Sequence, residues 1–391
     1  MGTLVKKQVN TMNRKQQPMK VKTKKTVCPV CNTKTSSASN FCEQCRYPIA
    51  VKKISNFNAQ EIVVQLLHLS EVIGKYSKPF FKKKEIDDIY TELVSLNWLR
   101  PESALWCFLE MRIMLGLKKK YLTYPMLDLG CGEGLWTSIL FGARVNKKYD
   151  AYEAIDLSKS DPYNTYIKSP SDFLDTTPSP IGFGLDIKET LVQRAQDIKT
   201  YDRVKVGDVR SLPFEDSSVN SVFSNIIDDI KNEDLEALFI EAHRVLNNNG
   251  YIVFTTPNER FRKSLFYYNK AQACRKQGDL KNYKFFSMLD RGRSDWEPRA
   301  LSLWLKLFRR TSFKLIDHFE YADESVMQLW DTGFRPFFNQ LIKTRNTLKK
   351  NDMLLPVKEI AIAVLKQWIF QYAKNEISKN GAFSIIIAKK I

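Results

Sequence analysis

Two groups of residues in this sequence have the types and the spacing to do chemistry. Cys28, Cys31, Cys42 and Cys45 form two C-x2-C pairs in the stretch CPVCNTKTSSASNFCEQC. Each pair aims two thiolates at one point, and two pairs complete a tetrahedral shell for Zn2+. Four sulfur ligands leave no position for water, so this zinc is expected to be structural and to supply folding free energy that so small a peptide cannot draw from a core. Two disulfides are the other reading, which an N-terminus without a secretory signal argues against. The second group is MLDLGCGEGLW at 126–136, an apolar run, Asp128, then Gly130, Gly132 and Gly134 at every second position. Glycines so placed let a backbone come close to a ligand. The pattern is not a P-loop, because no Lys follows the glycines, and not the dinucleotide fingerprint, because Leu135 stands where its third glycine belongs.

These residues need elements to position them. From Asn58 to Leu117 apolar residues recur at helical spacing (Ile62, Leu66, Leu69, then Ile86, Ile89, Leu93, Leu96), with breaks near KPFFKKK and at Pro101. After Tyr121 strands and helices alternate. PMLDL, IGFGLDI (181–187), RVKVGD (203–208), VNSVFSN (219–225) and YIVFTTP read as strands, and FKLIDHFEY and AFSIIIAKK as two more near the C-terminus. EGLWTSILF, KETLVQRAQDI and NEDLEALFIEAHRVL (232–246) read as helices, the last ending in NNNG with Gly250 as its left-handed cap. That order predicts an α/β fold, a mostly parallel sheet with helices on both faces and ligands at the carboxyl ends of the strands.

The glycine run resembles motif I of class I S-adenosylmethionine-dependent methyltransferases. GLDIKETLVQRAQ resembles the second motif of that family, GDVRSLPFEDSSVNSVFSN the third and fourth, and EAHRVLNNNGYIVFTTP the following helix and fifth strand. The resemblance covers about residues 121–260, is closest to the type-11-like domain, and implies the Rossmann-like sheet and S-adenosyl-L-methionine as cofactor. It also implies roles: Asp128, Gly130, Gly132 and Gly134 for the methionine-side turn, Asp186 for the ribose hydroxyls, Asp208 with Val209 for the adenine, and Asn225 for the pocket floor. Asp156 lies nearer the usual distance from the glycines, but only Asp186 is followed by the expected helix and strand. Residues 143–180 are then an insertion over the pocket mouth. Each residue also has a plainer use: a glycine in a turn, an Asp capping the next helix. CPVC…FCEQC resembles a short zinc ribbon. The expected order is a basic tail (1–27), zinc ribbon (28–48), helical linker or substrate cover (55–120) and methyltransferase domain (121–391), with insertions at 143–180 and 258–345.

Methyl transfer from a sulfonium is an in-line displacement, for which a protein supplies alignment, desolvation and sometimes a base. Asp228 and Asp229 in NIIDDI follow the fourth strand and are candidates for that base, or else cap the helix beginning near Asn232. Arg100 and Glu102 in WLRPES contact a substrate or cofactor group, or begin a helix. His243 and His318 read as structural. Arg, Lys and aromatic residues mixed through 258–345 suit sugars and nucleic-acid bases, and LSLWLKLFRR suits either a membrane surface or an amphipathic packed helix.

A hydrophobic fraction of 43% and no apolar run long enough to span a bilayer describe a globular, cytoplasmic protein. The net charge of +18 is uneven: residues 1–27 hold eight Lys or Arg and no acid, a segment expected to stay unfolded and to meet RNA, an anionic membrane surface or no fixed partner. The acceptor expected from the local resemblance is a small molecule or a glycan- or lipid-linked intermediate. The rivals are an rRNA or tRNA methyltransferase and a non-catalytic zinc-ribbon adaptor.

Overall fold

The computed structural model describes residues 25–27, 33–36, 79–153, 173–176, 178–290, 296–334, 337–374 and 380–391. The four motif cysteines, Asp156, the helical pattern from Ile62 to Leu69 and residues 1–24 lie outside the described residues. The chain divides into two compact units, Met1–Asn58 and Ala59–Ile391. In the small unit, strand β1 (Lys25–Val27) pairs antiparallel with β2 (Lys34–Ser36), Val27 opposite Lys34. The last three residues of the expected tail are therefore strand. In sequence, the two strands flank Cys28 and Cys31.

The large unit begins with two helices, α1 (Lys84–Leu96) and α2 (Pro101–Tyr121). Pro101 sits in the first turn of α2, where its missing N–H costs nothing. Then β3 (Met126–Leu129), α3 (Leu135–Leu140), the short β4 (Arg144–Val145) and β5 (Leu174–Thr176), β6 (Gly182–Asp186), α4 (Glu189–Ile198), β7 (Arg203–Val206), β8 (Val219–Ser224), α5 (Leu235–Val245) and β9 (Leu246–Pro257) follow. Four helices come next: α6 (Phe261–Ser264), α7 (Phe266–Lys276), α8 (Leu280–Asp290) and α9 (Leu301–Arg310). They lead to β10 (Phe313–Tyr321), α10 (Glu324–Thr332), α11 (Phe338–Lys350), α12 (Leu354–Ala373) and β11 (Phe383–Lys390).

Seven of these strands form one sheet in the order β10-β11-β9-β8-β3-β6-β7. β3 pairs parallel with both β6 and β8, and β11 runs antiparallel to its neighbours β9 and β10. The strand order reverses at β3, the place where an open α/β sheet leaves a crevice at its carboxyl ends. Alternate side chains divide the core. Leu127, Leu129, Ile252, Phe254 and Ile386 join Leu238 and Phe239 of α5 and Trp304 and Phe308 of α9. Met126, Val253, Ile385 and Ile387 join residues of α1, α2 and α12 on the other face. A one-residue slip would exchange the two sets, so the burial itself fixes the register.

Three expectations need correction. Residues 258–345 are not one insertion, because β10 runs through them: α6–α9 precede it, and α10–α12 lie between β10 and β11. NNNG does not cap α5, because β9 starts at once at Leu246, with Asn249 rather than Gly250 at positive φ. Gly250 is needed for closeness instead: a Cβ there would lie 2.9 Å from Leu246 Cδ2 and 3.0 Å from the Asn220 carbonyl. The apolar face of LSLWLKLFRR is packed in the core through Trp304, Leu307 and Phe308, which leaves no apolar face for a membrane. Of the insertion at 143–180, the described ends pair as β4 and β5, and Tyr149 stacks on Phe173 at 4.0 Å.

Candidate active site

At the carboxyl ends of β3, β6 and β7 lies a cavity of about 620 Å³, within the ~300–1,000 Å³ usual for a cofactor-sized ligand. Its lining includes Gly130, Gly132, Asp186, Asp208, Val209 and Ile226. Gly130, Gly132 and Gly134 all have positive φ, but their surroundings differ. A Cβ on Gly130 would overlap Ile226, and one on Gly134 would press on the Tyr201 ring. A Cβ on Gly132 would meet no protein atom within 4 Å. The protein thus leaves the space beside Gly132 empty, as close approach of a ligand to backbone requires.

Asp186 ends β6, one strand over from the glycine turn, and its carboxylate accepts from Gly132 N and Lys188 N, both at 2.9 Å. These bonds hold the acid at the cavity edge with lone pairs to spare for a diol. Asp208 follows β7. Arg210 donates to both of its oxygens (Nε at 3.0 and 3.1 Å, Nη2 at 2.7 Å) and holds the carboxyl below its ordinary range. Arg210 also reaches Asp234 at 3.1 Å, across the same cavity. Asp128 is elsewhere. Fully buried beneath the turn, it accepts from Thr137 Oγ1 at 2.5 Å and Tyr201 OH at 2.6 Å, and burial raises its pKa to about 6. It shapes the turn and does not line the cavity. Asn225 does not line it either; the next residue, Ile226, does.

Asp228 and Asp229 belong to a single 3-10 turn, Ile227–Asp229, and cap no helix: α5 starts later, after Asp234, without a side-chain cap. Asp229 lines the cavity, whereas Asp228 turns away and is buried. Burial first, and the Asp229 charge second, raise the Asp228 pKa to about 7; burial also raises Asp229. The turn is gripped from a distance. Arg299 donates to the Ile227 carbonyl at 2.8 Å, to Asn232 Oδ1 at 2.8 Å and to the Ile230 carbonyl.

Beyond Asp228 the sheet's other half carries buried acids: Glu110, which the sequence does not single out, and Glu102, which it does. Glu110, in the middle of α2, accepts from Tyr321 OH at 3.1 Å, while its Oε1 is buried without a hydrogen-bond partner. Burial raises its pKa to about 8, and the Asp228 charge adds to that. Glu102 is buried too, with its pKa raised to about 7, and Arg100 Nε lies 3.7 Å from it. Arg100 and Glu102 therefore face each other at the start of α2, and neither lines the cavity. Trp106, Trp296 and Trp330 pack together nearby with ring centroids 5.6–6.3 Å apart. The one available signal for Glu110 was an acid set among Leu105, Phe108, Leu109, Met111 and Met114. For Arg299 there was none. His318 meets Ser384 Oγ at 2.9 Å and His243 lies against the Phe313 ring, both in structural positions. Among the described residues no cluster of His, Cys, Asp or Glu forms a metal site, and no helix is long and apolar enough to cross a membrane.

Residues 180–254 match the family model described as methyltransferase domain. The match spans β6 to β9, with Asp186, Asp208, Ile226 and the acid pair inside it. A search of curated proteins finds no match. Among solved structures, an S-adenosylmethionine-dependent methyltransferase of Thermotoga maritima is 13% identical over 73% of this chain and 91% of its own, with a TM-score of 0.37. One from Methanosarcina mazei is 14% identical over 70% and 97%, with a TM-score of 0.36. The YcgJ protein of Bacillus subtilis is 14% identical over 72% and 97%, with a TM-score of 0.34. The chain carries a methyltransferase domain and is an enzyme that transfers methyl groups from S-adenosylmethionine.

Proposed function

We propose that this methyltransferase acts on a small-molecule, glycan or lipid-linked acceptor, with its cofactor in the 620 Å³ cavity. The observation that supports the cofactor site is the empty space beside Gly132, faced by a backbone-anchored Asp186 within a segment that matches a methyltransferase family, and the acceptor class rests on the local sequence resemblance of GDVRSLPFEDSSVNSVFSN. The residues fit the group. The Gly130–Gly132 turn meets the methionine end, Asp186 accepts from the ribose hydroxyls, and Asp208 with Val209 meets the adenine.

When bound, S-adenosylmethionine supplies an electrophilic methyl group on a good leaving group. The chain's own part is to align and desolvate the acceptor and to receive its proton. Asp229 lines the cavity wall and suits that second task, its carboxyl held above the ordinary range by burial, with the buried Asp228 beside it. A methyl-transfer rate would then rise with pH as Asp229 loses its proton, above the ordinary carboxylate range, and Asp229→Asn would abolish that limb.

Calorimetry with S-adenosylmethionine tests the assignment. Asp186→Ala removes charge-assisted bonding worth about 1.5–3 kcal/mol in all, so affinity should fall by roughly tenfold to a hundredfold or a little more. Equal binding by the variant would overturn the site.

Cys28, Cys31, Cys42 and Cys45 hold one structural Zn2+ in this reading. Their spacing supports it, as does the antiparallel β1–β2 pair that flanks the first two cysteines in sequence. Metal analysis of the purified chain should find one zinc, lost when Cys28 and Cys31 become Ser.

A further inference from the structure

We propose that the α7–α8 hairpin is an attachment surface for an anionic lipid bilayer. α8 packs on α7 and buries Phe286 and Asp290, and its opposite side leaves Leu280, Lys281, Lys284 and Met288 exposed. Leu280 and Met288 are 66% and 60% exposed, and with Lys284 they occupy positions i, i+4 and i+8, one line along the helix. On one flank of that line, Lys281 is exposed and Phe285, one turn on, is half-buried. Within the hairpin, residues 266–290, Lys270, Arg275, Lys276, Lys281 and Lys284 stand against two acids. Of the two acids, Asp290 is buried, and Asp279, held ionised by Asn282 at 2.6 and 3.1 Å, lies beside Lys281 and offsets one cation, which leaves the others in excess. Arg275 rides over the Tyr283 ring and Lys270 over Phe266, which keeps both cations close to the hairpin.

Aliphatic side chains interleaved with lysines on one uncovered line suit the boundary between lipid headgroups and acyl chains. There Leu280 and Met288 leave water while the lysines meet phosphates. An RNA backbone would engage the same lysines and leave Leu280 and Met288 in water. A second copy would set lysine against lysine, and so would the basic N-terminal segment of this chain, with eight Lys or Arg and no acid over residues 1–27. The lipid is the occupant that satisfies both halves of the pattern. This surface goes beyond the acceptor reading and does not depend on it.

Sedimentation of the full chain with vesicles tests the proposal, comparing phosphatidylcholine alone with vesicles rich in phosphatidylglycerol. The wild type should bind only the anionic vesicles, and binding should weaken with salt. Lys281→Gln with Lys284→Gln should weaken it by about 25-fold, at about fivefold for each lysine near an anionic surface. Leu280→Ser with Met288→Ser should weaken it by about tenfold or more, the cost of losing two inserted apolar side chains. Both double variants change exposed residues only and should keep the wild-type melting temperature and cofactor affinity, and vesicles should slow amide exchange in α8. Undiminished vesicle binding by both variants would overturn the proposal, because the N-terminal segment would then suffice. A dimer in light scattering that Leu280→Ser with Met288→Ser dissolves would also overturn it. So would RNA binding that depends on the lysines but not on Leu280 and Met288.

Discussion

The two halves of the sheet hold their acids in opposite ways. On the β3-β6-β7 side, Asp186 is fixed by two backbone N–H groups and Asp208 by an arginine two residues away, and both face an open cavity. On the β9-β11-β10 side, Glu110 and Asp228 are buried, and their partners come from far along the chain. Tyr321 is 211 residues from Glu110, and Arg299 grips the Asp228 turn from 72 residues away. A ligand held largely by backbone can be inscribed in one short turn. A set of buried acids whose partners come from several distant elements is inscribed only in the packed fold.

The sharpest way to break this contrast is Gly132→Val. A β-branched residue at φ +56 is strained by about 1–2 kcal/mol, yet its side chain would collide with no protein atom at Cβ. The chain should fold, with the new side chain standing in the space assigned to the cofactor. Cofactor affinity in calorimetry should drop by about a hundredfold or more, equivalent to ~3 kcal/mol. A variant that melts early but binds normally would show that the cavity serves something else.

Arg299→Met strikes the other side. It leaves the Ile227 and Ile230 carbonyls and Asn232 without their donor, at a total cost of about 3 kcal/mol, read as a fall in melting temperature. Ile230 and Asp229 line the cofactor cavity, so affinity should fall as well, by about tenfold, because the turn is shared between the two halves. Loss of stability alone would mean that the halves are independent.

What could be read in advance follows the same division. Strands β10 and β11 are legible to the residue or nearly so, β10 because apolar and polar residues alternate along much of it and β11 because it is a short apolar run that starts after Asn380-Gly381. The glycine turn shows in its local spacing and Asp186 in the helix and strand that follow it, whereas the contact between them, Asp186 accepting from Gly132 N across 54 residues, does not. Gly250 was misread since its role depends on Leu246 and the Asn220 carbonyl, the second of which a neighbouring strand brings up. The acid pair 228–229 was legible as a pair. Its division into one cavity wall and one buried acid was not, because Arg299 and the burial by later helices decide it. The span 258–345 was misread as one insertion although β10 itself was recognised, because nothing local says that a strand among helices belongs to a distant sheet.

Glu110 yields a prediction in pH. Its pKa is about 4.5 when unfolded and about 8 in the fold, so the folded state favours the proton. That contribution to stability is complete below about 4.5 and is lost as pH rises towards 8. Each pH unit in that window should cost about 1 kcal/mol, so the melting temperature should decline between pH 6 and 8 and decline less in Glu110→Gln. An equal decline in both would remove Glu110 as the cause and leave Asp228 or Glu102 as the titrating group.

The smallest effect separates two uses of Arg210. Its guanidinium is half exposed and occupies both oxygens of Asp208, the acid assigned to the adenine amino group. An exposed ion pair of this kind contributes little to stability, so Arg210→Ala should leave the melting temperature unchanged. If Arg210 only competes with the adenine, its removal frees the carboxylate and cofactor affinity rises by about twofold to fivefold. Asp208→Ala should lower affinity in the same assay, and in the double variant the gain from Arg210→Ala should vanish, because no carboxylate is left to free. A fall in affinity for Arg210→Ala alone would mean that the guanidinium itself touches the cofactor, so that even on the legible side a side chain shares the work of the backbone.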